Sequence, residues 1–157
     1  MNNSLDILSE GLDKKIEVLK VIKEYNQKQK EAFSSDNIDM DSFDEAIEEK
    51  DQLIERLLKL DEGFDSLYNR LAEDLKANKG LYADKIKLLQ EKIRVVTELS
   101  VSIEAEEARN KQLVEAYFSK ARAGLGQDRK VSRAAYGYYQ SSSGANSGQT
   151  SIFDLKK

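Results

Sequence analysis

Apolar side chains recur every three or four residues along most of the chain, which is the spacing of amphipathic helices. In the first segment, one column of apolar positions is Leu5, Leu8, Leu12, Ile16, Leu19 and Ile22, and a neighbouring column is Ile7, Val18, Val21 and Tyr25. Two adjacent columns make an apolar face that is too wide for a two-stranded coiled coil. The pattern therefore predicts a first helix over about residues 3–34 that contacts two other helices.

The same spacing returns in two further segments. The first break is Ser34–Asp39, where Ser, Asn and Asp side chains favour bonds to their own backbone over a continued helix. A second helix is predicted over 41–79, ending before Gly80, and a third over 81–123. At 1.5 Å per residue the three helices would be roughly 45, 57 and 62 Å long.

Short links between long helices imply antiparallel neighbours. We therefore expect an all-α fold, an elongated antiparallel three-helix bundle or coiled coil over residues 1–123. The pattern stops near Leu125, and Ser141–Gly148 has the composition of a flexible linker. Residues 124–157 are thus predicted to form a disordered, basic tail that contains Tyr, Ser and Gly.

The composition excludes most catalytic and metal-binding chemistry. The chain has no Cys, His, Trp or Pro, so a thiolate nucleophile, a Cys-based zinc site and the commonest general base are all absent. A calcium loop counted from Asp39 would place Asp44 where glycine is needed and Lys50 where a bidentate Glu is needed. We expect no enzyme activity, no cofactor and no bound metal.

Charge divides the chain into two parts. Residues 120–157 hold seven basic and two acidic side chains, a net charge of +5, whereas the rest of the chain carries −9. The sequence has no secretory leader pattern and no apolar run near ~18 residues, so we expect a cytoplasmic protein without membrane insertion.

The tail segment Arg129–Tyr139 combines basic and aromatic residues. This combination could bind single-stranded nucleic acid by charge and stacking, but the acidic body would repel a phosphate backbone. We expect protein docking and no nucleic acid partner, with a merely solubilising tail as the alternative.

The apolar columns are interrupted at one level of the predicted bundle. Folding the helices back at the two breaks brings Asn26, Gln29, Lys50, Glu107 and Asn110 together. Such a polar layer either fixes the register of the helices or marks an end that opens to accept a partner helix.

Four segments resemble flagellar type III export chaperones of the FlgN kind, which overlap in appearance with the FliT kind. They are Ser42–Leu60 (SFDEAIEEKDQLIERLLKL), Glu106–Phe118 (EEARNKQLVEAYF), Ser132–Tyr139 (SRAAYGYY) and Phe153–Lys157 (FDLKK). The resemblance implies a small acidic helical chaperone that binds the C-terminal helix of a hook–filament junction or filament cap protein. It also implies delivery of that protein to the export gate and its ATPase.

The resemblance also implies roles for individual residues. A tyrosine near the chaperone's C-terminal end docks to the export gate in this family, and Tyr136, Tyr138 and Tyr139 all match that position. The cargo helix would bind an apolar surface beside the polar layer, which we expect to consist of Phe43, Ile47, Val114 and Tyr117.

Two other functions fit the same pattern. The wide apolar faces are equally consistent with a structural coiled-coil protein that completes its bundle as a homodimer. Alternatively, the protein is an adaptor that acts through its tail alone.

Overall fold

Each of the predicted apolar segments forms one helix. The computed structural model describes residues 2–34, 38–123 and Tyr138. Its elements are α1 (Asn2–Ala32), α2 (Met40–Ala77) and α3 (Ala83–Ala123). The predicted all-α three-helix bundle is confirmed, and the predicted helix limits agree to within two residues.

The predicted disorder of residues 124–157 lies outside the described residues, apart from Tyr138. That side chain is buried against the bundle.

Short polar side chains end the helices where the chain must turn. The Asp39 carboxylate accepts a hydrogen bond from the Ser42 backbone N–H at 3.0 Å and so caps the start of α2. At the other end of α2, the Asn78 side chain donates to the Asp74 carbonyl at 3.1 Å. These two turns reverse the chain direction twice, so that α1 and α3 run in the same direction and α2 runs against both.

The helices pack through positions that are seven residues apart. On α1 two such columns face the core, and on α2 and α3 one column each lies at its centre. Their members are Leu5, Leu12, Leu19 and Asn26; Leu8, Lys15, Ile22 and Gln29; Phe43, Lys50, Leu57, Phe64 and Leu71; and Leu89, Val96, Ile103 and Asn110. Among the described residues α1 contacts both other helices closely, whereas the backbones of α2 and α3 rarely approach each other.

The apolar core has two separate parts. A long cluster runs through most of the bundle from Leu5 to Ile103. A second cluster, which we call the end cluster, lies where α1 ends. It consists of the buried residues Ala32, Met40, Phe43, Ile47, Val114 and Tyr138, with Phe33, Ile54, Tyr117 and Phe118 packed against them.

Several apolar side chains remain on the surface. Near the end of the bundle opposite the end cluster, three of them are at least half exposed: Ile7, Leu81 and Leu88. A salt bridge from Lys85 to Asp6 joins α1 and α3 at that opposite end. Within the helices that the structure describes, no stretch has both the length and the apolarity needed to cross a bilayer.

We expect Gly63→Ala to stabilise the fold. Gly63 lies inside α2 at an exposed position, and a Cβ added there meets no atom within 4 Å. Because glycine costs about 0.5–1 kcal/mol relative to alanine within a helix, urea unfolding should show a gain of that size. The matched control is Ala105→Gly at an exposed position of α3, which should lose a similar amount. A loss on Gly63→Ala would contradict a regular helix at this point.

Candidate functional site

The ammonium group of Lys50 lies at the centre of the polar layer. Its side chain is fully buried, and its Nζ donates to Asn26 Oδ1 at 2.7 Å, to Gln29 Oε1 at 2.7 Å and to Glu107 Oε1 at 2.6 Å. An ammonium has three hydrogens to donate, and these three oxygens account for all of them. One charged group of α2 thus holds side chains from α1 and α3.

Two further residues connect α1 and α3 beside the lysine. Asn110 Nδ2 donates to the backbone oxygen of Asn26 at 3.2 Å and to Gln29 Oε1 at 3.3 Å. Glu106 accepts hydrogen bonds from Lys23 at 2.7 Å and from Asn26 Nδ2 at 3.1 Å. The structure therefore brings all five predicted residues of the polar layer into one network and adds Glu106 to it.

The tail contributes one aromatic side chain to this network. The Tyr138 hydroxyl donates to Glu107 Oε1 at 2.7 Å, and Lys50 Nζ lies 4.5 Å from the centre of the Tyr138 ring. The ring lies next to the ammonium at the distance of a cation–π contact. Tyr138 is 4% exposed, so the contact is a buried one.

The polar layer is electrostatically costly. Burial lowers the pKa of Lys50, and the carboxylate of Glu107 opposes that shift. Within the described residues, Gln29 Nε2, Glu107 Oε2 and Asn110 Oδ1 are buried without a hydrogen-bond partner. Each unpaired buried polar atom costs about 1–3 kcal/mol, a cost that the apolar level next to it does not carry.

The surface predicted to bind cargo is closed in this structure. Phe43, Ile47 and Val114 were expected to be accessible, but they are buried in the end cluster. The reason is that Phe33, just beyond α1, packs edge-on against Phe43 at 5.2 Å, and Tyr138 of the tail joins the same cluster. The structure brings the residues together, and their role in binding remains a prediction.

Tyr117 differs from the other three predicted cargo residues because it is only half-buried. Its ring lies 6.0 Å from Phe33 and 5.7 Å from Phe118, in both cases edge-to-face. It therefore lies at the edge of the end cluster, with Phe33 and Phe118.

The three tyrosines predicted to dock at the export gate are not equivalent. Tyr138 is held inside the bundle by Glu107 and Lys50. Tyr136 and Tyr139 lie outside the described residues. The sequence placed Tyr138 in the tail, and nothing in its local pattern connected it with the polar layer.

A second buried ion pair was missed by the sequence reasoning. The Lys15 ammonium contacts the Asp61 carboxylate between α1 and α2, and both side chains are largely buried. Burial lowers the pKa of Lys15 and raises that of Asp61, while each partner opposes the other's shift. The signal was present, because Lys15 lies seven residues from both Leu8 and Ile22 in a core column of α1.

A cleft lies on the outside of the bundle, between the end of α1 and the start of α2. Its volume is about 570 Å³, and it is lined by Tyr25, Lys28, Glu31, Ala32, Asp39, Ser42, Glu45, Ala46 and Glu49. It shares no residue with the polar layer. The described part of the chain holds no group of three or more acidic side chains placed to bind a metal ion.

Removing the buried ammonium should strongly destabilise the protein. We expect Lys50→Met to lose about 3–5 kcal/mol in urea unfolding, because it leaves Glu107 as an uncompensated charge and Asn26 Oδ1 without a donor. The control is Lys92→Met, which breaks a more exposed pair with Asp13 and should lose under about 1 kcal/mol. Equal losses would mean that the polar layer has no special role.

The carboxylate of Asp44, near the start of α2, should make stability depend on pH. Burial and the charges of Asp41 and Glu48 raise its pKa from 3.8 to about 6. The stability that this raised pKa contributes is fully present below pH 3.8 and is lost as the pH rises through about 6. We expect Asp44→Asn to be more stable than the wild type at pH 7.5, by about 1 kcal/mol after allowance for solvent screening.

At pH 3.5 the wild type and Asp44→Asn should be equally stable. Glu55→Gln removes the same charge at an exposed position of α2 and controls for the change in net charge. Chemical unfolding at both pH values provides the measurement. A difference that does not change with pH would assign the effect to side-chain packing and not to titration.

Comparison with protein-family models, with curated proteins and with solved structures gave no match to this chain. Its function must therefore be inferred from the sequence resemblance and from the geometry of the polar layer and the end cluster.

Proposed function

We propose that this chain is a cytoplasmic chaperone for flagellar type III export. It would cover an amphipathic helix at the C-terminus of a hook–filament junction or filament cap protein and so prevent premature assembly. It would then deliver that protein to the export gate and its ATPase. The resemblance of four segments to such chaperones supports the proposal, and so does an all-α bundle with an acidic body.

The observation that carries the proposal is the position of the end cluster directly beside the polar layer. A chaperone needs apolar surface that can be offered to a partner and later withdrawn. Here aromatic and aliphatic residues from α2 and α3 adjoin a level where several buried polar atoms lack partners. An end of this kind opens at a lower free-energy cost than the leucine-rich remainder of the bundle.

Binding would proceed by opening of this end. A partner helix that packs against Tyr117 would displace Phe33 and reach Phe43, Ile47 and Val114 behind it. The exchange replaces one set of apolar contacts by another, so the net free energy remains small enough for later release. Release is required because the exported protein must leave the chaperone at the gate.

The tail would provide the contact to the export gate through Tyr136, Tyr138 or Tyr139. Tyrosine is a preferred anchor at protein interfaces. In the free chain Tyr138 is bound to Glu107, so docking through Tyr138 requires that this hydrogen bond break.

Self-association is the second candidate, and the exposed apolar residues favour it. Ile7, Leu81 and Leu88 lie at the end of the bundle away from the polar layer, and their exposed fractions are between 50% and 76%. A scaffold protein would bury them in a homodimer. Sedimentation of the purified chain separates the two candidates, since a monomer that binds a cargo helix favours the chaperone and an obligate dimer without ligand favours the scaffold.

The decisive experiment is calorimetric titration of the full chain with the C-terminal helix of a hook–filament junction or cap protein from the same genome. Binding at a ratio of one to one supports the chaperone. Failure of both kinds of cargo to bind would overturn the proposal. The genes beside this one provide a cheap independent test, because the chaperone function requires flagellar neighbours.

We expect Tyr117→Ala to weaken cargo binding by about 1–2 kcal/mol, roughly tenfold, because Tyr117 is a half-buried aromatic residue at the edge of the end cluster. The matched control is Tyr82→Ala, a half-buried tyrosine near the opposite end of the bundle that belongs to the long cluster. It should leave the affinity unchanged. Unchanged affinity of Tyr117→Ala in calorimetry would remove this residue from the binding surface.

A further inference from the structure

The polar layer accepts an aromatic side chain that belongs to none of the three helices. Within the polar layer, the Tyr138 ring covers the Lys50 ammonium and the Tyr138 hydroxyl donates to Glu107. The carbon atoms of the same side chain pack in the end cluster. A cation, a hydrogen-bond acceptor and an apolar wall therefore meet at one place. Together they define the chemistry of the side chain that fits.

Other side chains satisfy only part of this arrangement. Phenylalanine would keep the ring over Lys50 but would leave Glu107 without the hydroxyl donor. Lysine or arginine would bring a second cation next to the buried ammonium, and an acidic side chain would face Glu107. A tyrosine side chain provides both the π-face and the neutral donor.

We propose that Lys50, Glu107 and the adjoining end cluster form a binding site for a tyrosine side chain presented by a second protein, and that Tyr138 occupies this site in the free chain. The second protein is the exported subunit, so this inference rests on the proposed function. It specifies that the residue which anchors the subunit's amphipathic helix is a tyrosine.

A partner helix that carries a tyrosine can displace Tyr138 from this site. Tyr138 is the only tail residue that the structure describes at the site, and its advantage is that it is tethered. A tether of this length corresponds to an effective concentration in the millimolar range. A separate helix lacks that advantage, but it gains the apolar contacts of Phe43, Val114 and Tyr117 in addition to its tyrosine.

The test uses the full-length Tyr138→Ala variant, which lacks the side chain that occupies the site in the free chain. The probe is a peptide of residues 132–140 with Tyr136 and Tyr139 changed to Phe, so that position 138 carries its only hydroxyl-bearing ring. A second peptide has Phe at position 138 as well. We expect the tyrosine probe to bind about tenfold more tightly than the phenylalanine probe. Equal affinities would overturn the proposal without any further variant.

Two double variants test whether Glu107 causes the preference for the tyrosine probe. In Tyr138→Ala/Glu107→Gln the preference for the tyrosine probe should fall to about threefold or less, because the charged acceptor is gone. In the control Tyr138→Ala/Glu115→Gln, which changes an exposed acid of α3, the preference should persist. The wild-type chain should bind the tyrosine probe about tenfold more weakly than Tyr138→Ala, because its own tyrosine occupies the site.

A final arm separates this inference from the proposed function. The cargo helix is titrated into the wild-type chain before and after its own tyrosine is changed to Phe, and we expect about a tenfold loss. Tyrosine-selective probe binding without any cargo binding would refute the chaperone function and the identity of the partner but leave the tyrosine site standing. Cargo binding that ignores the substitution and is not displaced by the tyrosine probe would refute the anchor and leave the chaperone function standing.

Discussion

The packing of the bundle next to the end cluster depends on the buried ammonium group of Lys50 and its hydrogen bonds. A positive charge cannot be held inside a protein unless oxygen atoms replace its water. Asn26 and Gln29 of α1 and Glu107 of α3 provide those oxygens. Their bonds to Lys50 therefore fix the register of the three helices and the rotation of each helix about its own axis. The backbones of α2 and α3 rarely approach each other in the described part of the chain, so the bond from Lys50 to Glu107 links these helices through side chains alone.

The same charge explains why Tyr138 packs against the helices. Three donors of the ammonium are satisfied by the helices, and the face of an aromatic ring lies beside the charge. Tyr138 fills that position and shares Glu107 as an acceptor with Lys50. A charge that costs free energy to bury thus creates a specific place for one side chain, which a purely apolar layer would not do.

The long cluster and the end cluster therefore differ in size and composition. The long cluster runs from Leu5 to Ile103, and the Lys15–Asp61 pair lies along it. The end cluster is small, is rich in aromatic rings and borders polar atoms that lack partners. If the proposed chaperone function is correct, stability and binding are divided between these two clusters, so that the protein can open one end while the other keeps the helices together.

The sequence by itself determined the three helices and their limits, because a period of three to four residues is a local property of the chain. It also determined the polar layer, since the columns of Asn26, Lys50 and Asn110 can be aligned once the two turns are known. Only the tertiary structure decided that Tyr138 completes the layer and that Phe43, Ile47 and Val114 are covered. Those contacts join residues far apart in sequence through a segment without helical periodicity, so no local pattern records where that segment returns. The position of Tyr138 is selected by the charge and shape of the packed helices. This charge and shape exist only after the helices have packed.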